Sequence, residues 1–168
     1  MMFGMSPATF LIVHVAISLI ALVSGLVVMV GLLRGERLPG WTALFLLTAV
    51  LTSVTGFGFP FDHFLPSHWT GVISLVVLAV ALLALYVFRL SGSWRWLYVV
   101  AAMMALYLDA FVTVVQAFQK IAPLHALAPT ESEPPFAIAQ GLVLLLFFVV
   151  TIVAVRRFNP VTASESQH

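Results

Sequence analysis

Asp109, Thr113, Gln116 and Lys120 follow one another at i, i+4, i+7 and i+11 inside a long apolar stretch. That spacing lays a carboxyl, a hydroxyl, an amide and an ammonium along one face of a helix. A carboxyl at such a position could carry a proton, ligate a cation or anchor a ligand by hydrogen bonds. The plainer alternative is an aspartic acid that ties neighbouring helices together through their threonines. Thr52 and Thr55 sit with Thr48 on a second polar face, Gln140 stands near the start of the last apolar stretch, and His14 shares a face with Ser18, Ala21 and Gly25. The imidazole of His14 could ligate a haem iron or a metal ion, relay protons, or simply bond to a backbone carbonyl.

A second group lies in the segments between apolar stretches. Asp62, His63 and His68 supply a carboxylate and two imidazoles, a set that binds zinc or copper, and Glu131 or Glu133 could complete the shell. The same histidines could serve as the axial partner of His14 on haem b, since no apolar stretch other than the first contains a histidine. Histidines four apart in a loop also commonly bind nothing. Glu131 and Glu133, followed by Pro134-Pro135, are expected to form an ordered cap; their bland reading is a stiff acidic loop at a membrane boundary. A divalent metal or haem is thus compatible with the sequence and not required by it. No nucleophile–base pair at usable spacing and no glycine-rich phosphate loop is present, so no catalytic residue is assigned and a non-enzymatic role is preferred. The absence of cysteine removes disulfides, thiolate metal sites and covalent haem attachment.

The elements that must hold these residues follow from composition. Of 168 residues, 62% are hydrophobic and 8% charged, with a mean hydropathy of +1.16. A soluble domain carries about 25% charged residues, so water-soluble enzyme, nucleic-acid binder and disordered regulator are all poor readings. Five stretches approach the ~20 residues that a helix needs to span a bilayer: 8–33, 41–57, 72–90, 96–118 and 136–155. The expected fold is all-α, a polytopic transmembrane helix bundle in one domain (1–158), with a polar, disordered tail over 159–168. The first stretch has no basic residue before it and is longer than the 7–15 apolar residues of a signal peptide, so it reads as a permanent span. No internal repeat supports an inverted-repeat transporter.

Arg34, Arg37, Arg89, Arg95, Arg156 and Arg157 fall in the first loop, the third loop and the C-terminal flank, whereas only Lys120 falls on the other side. Five spans put those three regions on one face, which the positive-inside rule makes cytoplasmic, with the N-terminus outside and the C-terminus inside. Trp41, Trp69, Trp94 and Trp96 all lie near span ends, as an interfacial aromatic belt requires. At 1.5 Å per residue, His14 then lies roughly 9 Å and Asp109 roughly 14 Å below the outer boundary. Thr52, Thr55, Thr113, Gln116 and Gln140 also fall in the outer half, and the expectation is a polar pocket opening outward with Asp109 at its floor.

The strings His14-Val-Ala-Ile-Ser18, Arg37-Leu-Pro-Gly-Trp41, Leu51-Thr-Ser-Val-Thr-Gly-Phe57 and Ala128-Pro-Thr-Glu-Ser-Glu-Pro-Pro-Phe136 resemble those of small hypothetical multi-span integral membrane proteins of bacteria. The resemblance implies a bacterial cytoplasmic membrane and transfers no activity; the Asp62–His68 segment is not part of it. Three functions follow as expectations. The first is a ligand-binding or accessory bundle that offers its pocket to a small ligand, a lipid, a quinone, or a partner subunit or second copy. The others are a haem or metal redox protein using His14 with His63 or His68, and proton-coupled transport through Asp109.

Overall fold

A computed structural model describes residues 4–60, 62–64 and 66–159, and the expected tail from residue 160 onward lies outside it. Six helices account for most of these residues: α1 (Pro7–Arg34), α2 (Pro39–Gly56), α3 (Pro66–Leu82), α4 (Trp94–Lys120), α5 (Ala122–Leu127) and α6 (Pro134–Arg157). α1, α2, α4 and α6, and α3 together with the turn that continues it (Ser67–Val87), are long and apolar enough to cross a membrane. The chain is a multi-span all-helical bundle.

Local chemistry sets the helix ends. Ser6 caps α1 by accepting from the Thr9 amide at 3.2 Å, and Pro7 occupies a position where a missing N–H costs nothing. Gly35 ends α1 in the left-handed region at φ 73°, and a Cβ there would meet the Arg157 carbonyl oxygen at 2.9 Å. Glycine is required at 35 on both counts. Two elements depart from the sequence expectation. α3 starts at Pro66 rather than 72, since a proline with its fixed φ opens the first turn and Ser67, His68 and Trp69 continue it. Its far end widens into a π-turn, Leu83–Val87, and stops at Arg89 and Leu90, whose φ angles are 50° and 62°. The loop expected between 119 and 135 contains α5, a single short helix with Pro123 in its first turn.

Helices α1, α2, α3 and α4 form a ring in which each packs on the next and α4 closes against α1; α6 lies over the α1–α4 seam. The side chains that are buried together come from one half of that ring: Ala21, Val28 and Leu32 on α1, Phe45, Leu46 and Ala49 on α2, Leu78 and Ala81 on α3, Tyr98, Ala102 and Leu106 on α4. Lipid is as apolar as leucine, so close fit rather than the hydrophobic effect holds such helices together. Gly25 shows the fit: a Cβ there would collide with Leu106 and would stand 2.9 Å from the Phe45 ring.

This sealed half is also where the arginines gather. Arg157 reaches the Leu33 carbonyl at 3.4 Å, and Arg95 donates to the Phe158 carbonyl. Each guanidinium thereby occupies carbonyls that the end of a helix leaves without an intrahelical partner. The first loop, the start of α4 and the end of α6 are tied into one arginine end. His14, His63, His68 and His125 mark the opposite, histidine end.

Candidate functional site

The contact of Gly25, Phe45 and Leu106 sets a level from which the rest of the bundle can be measured. Eleven residues further along α1, about 16 Å at 1.5 Å per residue, stands His14; ten residues further along α2, about 15 Å, stands Thr55. The two meet as those heights require, with His14 Nδ1 and Thr55 Oγ1 2.7 Å apart. Asp109 lies about 4–5 Å beyond the Leu106 level and Thr52 about 10 Å beyond the Phe45 level. Both fall between the sealed half and the His14–Thr55 pair.

Most hydroxyls in the spans are silenced by their own helix. Ser24, Thr48, Ser53, Thr55, Thr113 and Thr151 each donate to the carbonyl four residues earlier, at 2.6–3.0 Å. This back-bonding lets a polar side chain sit in hydrocarbon without a second helix. Against that background three buried atoms among the described residues have no hydrogen-bond partner: Thr52 Oγ1, Asp109 Oδ2 and Gln140 Oε1. Thr52 is flanked by Thr48 and Thr55, both back-bonded, and does not follow them. Gln140 spends its amide N–H on the Phe111 carbonyl at 3.2 Å, which carries it from α6 onto α4.

The hydroxyl accounting also fixes the imidazole. Thr55 has one proton, and it goes to the Leu51 carbonyl at 2.6 Å. Its oxygen therefore accepts from His14, so Nδ1 bears the hydrogen and Nε2 presents a lone pair. Phe59 stands edge-on to the ring at a centroid distance of 5.2 Å, and Phe10 stands edge-on to Phe59 at 5.0 Å.

One face of α4 records how the bundle changes along its length. Ala102 and Leu106 on that face are each 1% exposed, Asp109 is half-buried, and Thr113 and Gln116 are exposed. The same face that is sealed at the arginine end is therefore open at the histidine end. Between Tyr107 and Ala117 no α4 residue is fully buried.

The remaining candidates lie apart from this region or are otherwise engaged. Glu133 turns its carboxylate back into its own loop, taking the Thr130 hydroxyl at 2.8 Å and the Thr130 and Ser132 amides at 3.1–3.3 Å. Those donors hold its carboxyl below the ordinary glutamate value of 4.5, the Thr130 hydroxyl foremost. Glu131 is half-buried at φ 59°. His68, expected in a loop, is buried in the first turn of α3 against the rings of Phe57 and Phe64, while Asp62 and His63 are exposed. Among the described residues no three His, Asp or Glu side chains converge as a metal shell would need. The cavities with the clearest form are elsewhere: a cleft of ≈ 50 Å³ at the arginine end beside Arg37, Thr42 and Tyr98, and a shallow apolar groove between Leu19, Val23 and Trp41. The aromatic wall of Phe10 and Phe59 and the Phe111 carbonyl carry no mark in the sequence, where phenylalanines read as bulk.

The chain matches no family model, no curated protein and no solved structure.

Proposed function

We propose that this chain is a multi-pass protein of a bacterial cytoplasmic membrane that binds a small ligand, without turnover of its own, in a polar site opening outward above Asp109. The observation that carries the reading is the coincidence of two features in one half of the bundle. Three buried polar atoms lack partners there, at a cost of about 1–3 kcal/mol each if left so, and there the α4 face comes open. A group arriving from outside would satisfy Thr52 Oγ1, Asp109 Oδ2 and Gln140 Oε1, with Thr113 and Gln116 along its route.

The absence of cysteine makes the test clean. Single cysteines placed by Thr113→Cys and Gln116→Cys are expected to react with a charged, membrane-impermeant thiol reagent added to the periplasmic side of intact spheroplasts. Leu106→Cys is expected to stay unreactive. Protection of all three positions from the reagent would mean that the region is packed in lipid or protein, and the reading would fall.

One observation favours a haem reading, namely that His14 is anchored through Nδ1 and leaves Nε2 clear, as metal-ligating histidines do. On the ligand reading the purified protein shows no Soret band before or after dithionite. A band that sharpens on reduction would make Nε2 an axial ligand instead.

A further inference from the structure

We infer that the cleft at the arginine end is a second binding site, which takes a phosphate ester by its anionic oxygens. It lies at the opposite end of the bundle from the site proposed above, and neither depends on the other.

The cleft gathers its polar groups in one cavity. Arg37 and Glu36 line it from the first loop, Thr42 from the start of α2 and Tyr98 from α4, beside an apolar wall that includes Val28 and Leu32. Its ≈ 50 Å³ is the room of about three or four waters at ~10–15 Å³ each, or of the oxygens of one phosphate.

Those polar groups are donors with a positive bias. Thr42 and Tyr98 are 6% and 2% exposed. The Tyr98 hydroxyl is paired with Thr42, which is not back-bonded to its own helix as Thr48 and Thr55 are. Two hydroxyls bonded to each other spend one hydrogen and keep the other. Arg37 is exposed and makes no hydrogen bond or ion pair among the described residues, whereas Arg95 and Arg157 at the same end are spent on carbonyls. A guanidinium can only donate. α2 also starts at this wall, at Leu38 and Pro39, without a side-chain cap, so the positive end of its dipole acts with Arg37. Glu36 opposes them, but its carboxylate is exposed and screened by water.

The donors come from a loop and two helices around the cleft, which suits the tetrahedral oxygens of a phosphate better than the flat pair of a carboxylate. The apolar wall suits the esterified side of the group. Leu85 and Tyr86 bring the π-turn of α3 to the same cleft, and Arg89 and Leu90 follow it in the left-handed region. Such turns and such residues gather at functional sites. Two sources carry the group: a phospholipid of the adjoining leaflet and a soluble phosphate monoester.

The experiment is equilibrium binding of dioctanoyl phosphatidic acid, glycerol 3-phosphate and dioctanoylglycerol to the detergent-solubilised full chain. A phosphate probe is expected to bind at least about tenfold more tightly than dioctanoylglycerol, which has no phosphate. Binding of the phosphatidate alone assigns the site to a lipid; binding of glycerol 3-phosphate, alone or as well, assigns it to a soluble ester. Arg37→Gln, in an exposed loop, is expected to weaken that binding about tenfold, and Tyr98→Phe, which keeps the ring, about threefold. Arg156→Gln, at the same end but outside the cleft, is expected to leave it unchanged. Phosphate probes that bind no better than dioctanoylglycerol, or an affinity untouched by Arg37→Gln or by Tyr98→Phe, overturn the inference. So does an equal loss in Arg156→Gln, since the general charge of the arginine end would then account for the binding.

Discussion

At the scale of residues, the decisive distinction is between polar groups that their own helix satisfies and those that it does not. Sequence spacing puts Thr48, Thr52 and Thr55 on one face and cannot tell them apart. The structure does, because two of them bond to carbonyls of their own turn and Thr52 does not. Thr52→Val keeps the shape and removes the orphan hydroxyl, so it is expected to raise thermal stability in detergent, by up to about 1 kcal/mol, while weakening ligand binding. A loss of stability would mean that the hydroxyl has a partner in the folded protein. Asp109 and His14 are legible in the sequence because an ionisable residue inside a span is conspicuous by type. Glu133 is equally conspicuous, yet its carboxylate serves the loop it sits in. Its depressed pKa makes it stabilising above the ordinary glutamate value, and that stabilisation is lost as pH falls below 4.5 through the lower folded-state value. The thermal midpoint of the natural chain should therefore drop in that acid range more than that of Glu133→Gln, as melting curves of the two proteins at matched pH would show.

At the scale of elements, the five long helices are dictated by composition, because a chain this apolar has few other ways to satisfy its backbone in lipid. Their ends are less legible. Pro66, Ser67 and His68 have the composition of a loop, and only the fixed φ of proline at a first helical turn explains why α3 begins there. α5 is hidden for the same reason, with Pro123 in its first turn and too few residues to show a period. The small-residue face of α1 reads from sequence as a packing surface, and Gly25 against Leu106 and Phe45 realises it. Gly25→Ala should push α1 away from both neighbours and cost about 1–3 kcal/mol, the range for overpacking a tight interface. An unchanged thermal midpoint would show that the three helices can separate freely. At the end of α3, Arg89 holds φ 50° without being glycine. Arg89→Val, which adds β-branching at a left-handed position, should lower stability by about 1–2 kcal/mol in the same assay.

At the scale of the whole molecule, charge and packing divide the chain in the same place. The arginines and the buried core share one end, while the unpaired polar atoms and the exposed stretch of α4 share the other. The polarity gradient is legible in the sequence, since it needs only the order of residues along known spans. The sealing of one half is not, because it depends on which helices touch, and spans of Val, Leu and Phe carry little information about their neighbours. A reporter active only in the periplasm, fused after Arg157, is expected to be silent. Activity there would invert the molecule and turn the candidate site toward the cytoplasm.

The arginine tie has a mechanical corollary. Arg157 is fixed against the end of α1, and Gln140 lies 17 residues up the same helix, an arm of about 25 Å. A tilt of α6 by about 5° around that fixed point carries Gln140 sideways by about 2 Å, enough to break its 3.2 Å bond to the Phe111 carbonyl. Helices tilt to match the thickness of the bilayer that surrounds them. α6 is therefore a lever whose short-range anchor is protein and whose load is lipid. Thinning or thickening of the membrane would be felt first as the making or breaking of one amide hydrogen bond beside the candidate site.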